Sequence, residues 1–132
     1  MQNTIQNKAR AIIIENGKVL LCHELGAEHY FLPGGHIEFG EYAEETLIRE
    51  FEEEAGRDDL KIGPFITAVE HMFEYNESLY HEYNMLYEAS VTNIKSIKSI
   101  EPHIELVVKD LSEVPNLDIR PEGIKKEITK LS

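Results

Sequence analysis

The sequence predicts an α+β fold, a run of strands with one acidic helix embedded among them and a second helix near the end. Three observations carry this. Asn16-Gly17 separates two β-rich stretches, residues 79–91 alternate apolar and polar side chains, and residues 42–55 and 121–131 repeat their apolar positions at helical spacing. At 132 residues the chain suffices for one hydrophobic core and is short for two, so residues 1–132 are expected to form one domain.

The first two strands are expected at residues 8–15 and 18–24. Asn-Gly between them is the strongest short hairpin signal, because a type I′ turn needs positive φ at both central residues. Leu32-Pro33-Gly34-Gly35 then reads as a tight loop leading from a strand towards the helix at 42–55, which Gly56 stops. A second hairpin is expected from residues 65–75 and 79–91, joined by Asn76-Glu77-Ser78. In its later strand Tyr83, Met85, Tyr87, Ala89 and Val91 share one face, while Glu82, Asn84 and Glu88 point the other way. A short strand follows at 104–108. The last helix opens near Pro121, a good first-turn residue, and sets Ile124, Ile128 and Leu131 on one face to cover the sheet.

Composition narrows the class. The chain is 42% hydrophobic and 29% charged, ordinary values for a soluble domain. No run nears the ~18 apolar residues that a membrane span needs, and residues 1–4 do not begin a secretory leader. The single Cys22 rules out an internal disulfide and cannot alone build a zinc site; it reads as a small core residue. A reducing cytoplasm is the expected compartment, without a membrane partner. The net charge of −12 lacks the basic footprint by which proteins grip nucleic-acid polymers. Solubility accounts for acidity in general. Carboxylates clustered to hold divalent cations are the second reading, behind solubility, and only position separates the two. Monomer and homodimer are both compatible with the sequence.

On a wheel at ~100° per residue, Leu47, Ile48, Phe51 and Ala55 fall together as a buried stripe. Glu50, Glu53 and Glu54 group on an adjoining arc, and Arg49 lies one turn from both Glu45 and Glu53. Three carboxylates on adjacent turns repel one another unless something positive sits among them. A hard divalent cation such as Mg²⁺, or Mn²⁺, suits oxygen ligands of this kind. A bare E-x-x-E-E also describes a wet acidic helix face. The glycine pair at fixed spacing before the helix favours the metal reading, since glycine lets backbone come close to a ligand.

Gly35, Glu41, Arg49-Glu50, Phe51, Glu53-Glu54 and Gly56 stand in the register of G-x5-E-x7-R-E-U-x-E-E-x-G-U, with U a bulky apolar residue. On these residues the sequence resembles the Nudix hydrolase family. Every polar or glycine position of the 23-residue signature is present; only Arg57 departs, where an apolar residue is usual. The resemblance implies an α/β/α sandwich around a mixed sheet and a Mg²⁺-dependent pyrophosphohydrolase acting on a nucleoside diphosphate linked to another moiety. It implies that Glu50, Glu53, Glu54 and the Gly35 carbonyl are metal ligands, with Glu41 and Arg49 as supporting residues. A general base is expected at Glu50 or Glu53, or at the loop residue Glu101, with Glu105 in the same region.

Tyr75 lies at the distance beyond the signature where dinucleotide-polyphosphate hydrolases carry a tyrosine, and no proline of the ADP-ribose-cleaving members stands there. Tyr75 and Glu82 are the expected substrate contacts. The histidines, His36, His71 and His81 among them, are read as local packing or hydrogen-bonding residues. The alternative to hydrolysis is a silent Nudix domain that binds and senses a nucleotide. An isoprenoid isomerase on the same fold needs a reactive cysteine, for which Cys22 in an apolar strand is poorly suited.

Overall fold

The computed structural model describes residues 2–132. The first hairpin forms as its turn chemistry dictates. Strand β1 (Asn3–Glu15) and β2 (Lys18–Glu24) close through Asn16 at φ 50° and Gly17 at φ 75°, with Glu15 opposite Lys18. β1 begins five residues earlier than its apolar pattern suggested, because residues 3–13 pair in parallel with a later strand and only Ile14 and Glu15 pair within the hairpin.

Two short strands follow, β3 (Tyr30–Phe31) on β2 and β4 (Gly34–His36) on β1. The Gly-Gly segment is therefore an extended strand and not the loop its composition suggested. Gly34 sits at φ 139°, and a Cβ there would overlap the Ala9 carbonyl oxygen. Glycine thus allows β4 to lie this close against β1.

Helix α1 (Ala43–Ala55) opens with Glu45 reaching back to accept the Tyr42 N–H at 2.8 Å, and ends at Gly56 in the left-handed region. Strands β5 (Lys61–Tyr75) and β6 (Ser78–Ser90) form the long hairpin, turning on Asn76 and Glu77 alone, both at positive φ, so Ser78 belongs to the strand. β5 starts at Lys61 rather than at 65, with register breaks around Gly63-Pro64. Those residues fit a strand only at a bulge. β7 (Ile104–Asp110) pairs with the whole of β2. Helix α2 (Gly123–Leu131) begins two residues after Pro121, whose carbonyl accepts the Ile124 N–H.

The sheet is mixed, in the order β3-β2-β1-β6-β5, with β1 and β6 parallel, β4 added to β1 and β7 to β2. Its two faces feed two cores. Ala9, Ala11, Ile13 and Leu20 pack with Leu47, Phe51 and Ala55 of α1. Ile12, Val19, Leu21 and Leu86 pack with Ile124 and Ile128 of α2. Helix, sheet and helix make the expected α/β/α sandwich. The wheel erred at Ile48, which is 42% exposed, while Thr46 and Glu54 join the buried face. Helix α1 rolls towards β4, so the arc facing the sheet includes a carboxylate.

Candidate active site

Arg49 organises the acidic helix. Its Nε and Nη2 donate to the two Glu41 oxygens at 2.8 and 3.0 Å, a bidentate fork, and Nη2 also donates to the His36 carbonyl at 3.0 Å. Nη1 reaches Glu50 Oε1 at 3.0 Å and, more weakly, Glu53 Oε1 at 3.4 Å. Glu41 also accepts from the Thr46 hydroxyl at 2.6 Å. The guanidinium beside it holds the Glu41 carboxyl down to about 2. Arg49 does not reach Glu45, which is occupied at the Tyr42 N–H.

The three expected ligands differ sharply in environment. Glu53 is exposed, Glu50 is half-buried with a pKa raised by burial, and Glu54 is only 7% exposed. Burial, and then the neighbouring Glu50 charge, push the Glu54 carboxyl up to about 8, against the pull of Arg10 and the Gly34 N–H. Glu54 Oε1 is buried with no hydrogen-bond partner. Among the described residues no three His, Cys, Asp or Glu side chains converge as a ready cation cage. The expected meeting of three acids is thus incomplete. Arg49 draws Glu50 and Glu53 to itself, while Glu54 turns into the protein.

Gly35 lies beneath this group. A Cβ on it would overlap the Glu50 carboxyl group, so the missing side chain is the space Glu50 fills. The donor set fits a hard divalent cation on two counts. The Glu54 oxygen is orphaned, and two carboxylates of raised pKa stand together, with Arg49 bonded to Glu50 and the Arg10 charge acting on both.

On the other face of the sheet an open cleft of about 630 Å³ is lined by Lys8, Arg10, Phe31, Phe73, Tyr75 and Glu82, among others. Tyr75 and Glu82 therefore share one cavity, Tyr75 exposed and Glu82 buried. Glu82 pairs with Lys8 Nζ at 2.6 Å, and its carboxyl is held below the ordinary range by that contact despite the opposing effect of burial. Arg10 donates to the Leu32 carbonyl at 3.1 Å, stands over the Phe31 ring, and its charge acts on Glu50, Glu54 and Glu82 alike. Lys8 and Arg10 went unnoticed in the sequence. The signal was their alternation with Ala9 and Ala11, which puts two cations on one strand face in an acidic chain.

Glu101 stands apart from the carboxylate group, on a loop tied to the end of α1 by the Ile100 N–H donating to the Glu54 carbonyl at 2.8 Å. Its own backbone is held by Ser99, and its side chain has no hydrogen bond among the described residues. Glu105 contacts His23 on the β2/β7 ladder. Arg57, the departure from the signature, forks onto Asp59 at 3.0 and 2.7 Å and donates to the Thr92 carbonyl at 2.9 Å. A polar clip replaces apolar packing at the helix exit. Cys22 is fully buried with its thiol pKa pushed up, so no thiolate is available for isomerase chemistry.

A family model of the NUDIX domain matches residues 6–125. The chain belongs to the NUDIX family. With the signature carboxylates in place on α1, it is a NUDIX pyrophosphohydrolase. Solved structures share the fold over nearly the whole chain. The E. coli dihydroneopterin triphosphate pyrophosphohydrolase superposes with a TM-score of 0.76 at 17% identity, covering 94% of this chain and 92% of that one. The MutT protein from Methanosarcina mazei Go1 gives 0.73 at 22% identity, covering 96% and 91%. A NUDIX-family hydrolase from Clostridium perfringens gives 0.71 at 22% identity, covering 95% and 94%. Among the described residues of this NUDIX chain no helix is long and apolar enough to cross a membrane.

Proposed function

We propose that this enzyme hydrolyses a diphosphate bond in a nucleoside diphosphate linked to another moiety, using Mg²⁺, or Mn²⁺, held by Glu50, Glu53, Glu54 and the Gly35 carbonyl. The observation that carries the reading is the buried, unpartnered Glu54 oxygen beside the half-buried Glu50 carboxylate that fills the hollow at Gly35. Such a group persists in a fold when a ligand completes it. When bound, the cation neutralises diphosphate oxygens and makes water more acidic.

The chain's own residues divide the remaining work. Arg49 and Glu41 fix the orientation of Glu50. Arg10, acting on both carboxylate helix and cleft, receives phosphate charge, while Tyr75 and Glu82 contact the rest of the substrate. Glu53 takes the water proton, because it alone of the three helix acids is both exposed and only weakly engaged. Glu101 is the second candidate for that role, on a loop fastened to the end of the same helix. The whole of residues 1–132 acts as one domain, in the cytoplasm.

The test is a substrate panel of nucleoside triphosphates, dinucleotide polyphosphates and sugar nucleotides with Mg²⁺, products identified by mass. Expected products are a nucleoside monophosphate and the phosphorylated partner. Glu53→Gln should lower kcat by about 10²-fold or more, the usual weight of a proton-transfer group, and Glu101→Gln by less. Nucleotide binding without any product would establish the sensing alternative instead.

A further inference from the structure

The pair of half-buried Lys8 and buried Glu82 has no part in the chemistry at α1, yet it lies in the cleft. Lys8 Nζ meets Glu82 Oε2 at 2.6 Å, with side-chain exposures of only 16% and 6%. Asn84 Nδ2 approaches the other carboxylate oxygen at 3.4 Å. An ion pair taken out of water gains little stability, so its presence asks for another reason. The strand register supplies one. Gln6 is opposite Glu82 and Lys8 opposite Asn84, so the lysine and the glutamate sit diagonally on one sheet face. On β5, His71 is opposite Glu82, and the His71 and Phe73 rings, which line the same cleft, stack with centroids 5.1 Å apart. A planar ligand entering here meets rings to stack against and, at the floor, an ammonium beside a carboxylate.

That floor has a definite hydrogen-bond code. Lys8 has ammonium protons beyond the one directed at Glu82, and a carboxylate accepts up to about four hydrogen bonds through two adjacent oxygens. The matching edge carries one acceptor followed by two neighbouring donors. We infer that the Lys8 and Glu82 pair reads a 2-amino-lactam edge on the substrate's base, the ring carbonyl accepting from Lys8 and the ring N–H and exocyclic amine donating to the two oxygens of Glu82. Guanine carries this edge. Adenine offers one acceptor and one donor, leaving a carboxylate oxygen unmatched, and cytosine and uracil also lack the paired donors. The cleft therefore selects guanine nucleotides, a specificity that rests on the hydrolase reading above for its substrate class.

The test compares GDP-glucose, ADP-glucose, UDP-glucose and CDP-glucose as substrates for the Mg²⁺-loaded enzyme, with GMP and AMP binding measured by calorimetry alongside. Wild type should turn over the guanine compound with a kcat/KM about 10²-fold above the adenine one, the discrimination a good bidentate base contact gives. Glu82→Gln should bring that ratio within a few-fold of one, and so should the double variant Lys8→Met/Glu82→Gln, which removes both charges in case the single change destabilises the fold. Equal kcat/KM for all four compounds in wild type overturns the inference while leaving the hydrolase standing. A guanine preference that survives in both variants also overturns it. Should no compound be cleaved, the hydrolase reading falls, and the calorimetry still decides: tighter GMP than AMP binding that both variants abolish supports the base code, and equal binding ends it.

Discussion

Glu54 is a buried carboxylate held well above its ordinary pKa, and its titration has a measurable consequence. Its carboxyl is pushed up to about 8 in the fold, against 4.5 in an open chain. The folded, metal-free protein thus holds this proton more tightly than the unfolded one. The stability so contributed is complete below about pH 4.5 and is lost as pH rises through 8. Each tenfold gain in proton affinity is worth ~1.4 kcal/mol, so the loss is on the order of a few kcal/mol. Urea unfolding in chelator should therefore show a midpoint that falls from pH 5 to 8, and Glu54→Gln should flatten that slope; an unchanged slope in the variant assigns it elsewhere. Arg49 makes a second case. Replacing it with alanine frees Glu41 and Glu50 from their common partner, and kcat/KM should fall about 10- to 100-fold, the usual effect of losing a residue that orients metal ligands. Arg49→Lys should recover little, because an ammonium cannot make the two-pronged contact with Glu41.

Among the elements, β4 is short and tightly constrained. Its two glycines do different jobs, which alanine should separate. On Gly34 a Cβ meets the main-chain carbonyl of Ala9, which cannot move without breaking the β1/β4 ladder. Gly34→Ala should cost on the order of 3 kcal/mol in stability. On Gly35 the Cβ meets the carboxyl of Glu50, a side chain able to swing aside. Gly35→Ala should leave Tm within a few degrees of wild type and still lose most Mg²⁺-dependent turnover. Comparable thermal losses in both would refute the division. β4 also shows what sequence could not convey. Asn16-Gly17 declares its hairpin through local φ requirements, and α2 declares its buried face through Ile124 and Ile128. Two adjacent glycines carry no apolar pattern, so nothing local distinguishes a strand from a loop there. Ile48 failed for a related reason. It borders the apolar arc, and whether it or Glu54 is buried depends on how α1 rolls onto β4. The glutamate positions were legible because spacing carries them, whereas the unequal burial of Glu50, Glu53 and Glu54 arises only in three dimensions.

For the molecule as a whole, charge distribution separates general from specific cation effects. With 25 acidic and 13 basic residues, the fold repels itself, and any salt relieves part of that repulsion by screening. A cation held at α1 adds a different contribution. It stabilises in proportion to the logarithm of its concentration over its dissociation constant, about 2.7 kcal/mol at a hundred-fold excess. It also competes with the Glu54 proton, so its effect should grow between pH 6 and 8.5 while simple screening stays nearly flat. Thermal melts in MgCl₂ and in NaCl of equal ionic strength, at both pH values, distinguish the two. Wild type should gain several degrees from Mg²⁺ beyond NaCl at pH 8.5 and much less at pH 6. Glu50→Gln/Glu54→Gln should respond equally to both salts, since it retains the surface charge elsewhere and loses the two carboxylates that crowd around Gly35. If wild type also shows no excess from Mg²⁺ at pH 8.5, the orphaned Glu54 oxygen is not a cation ligand in the substrate-free protein, and the metal must arrive with the diphosphate it neutralises.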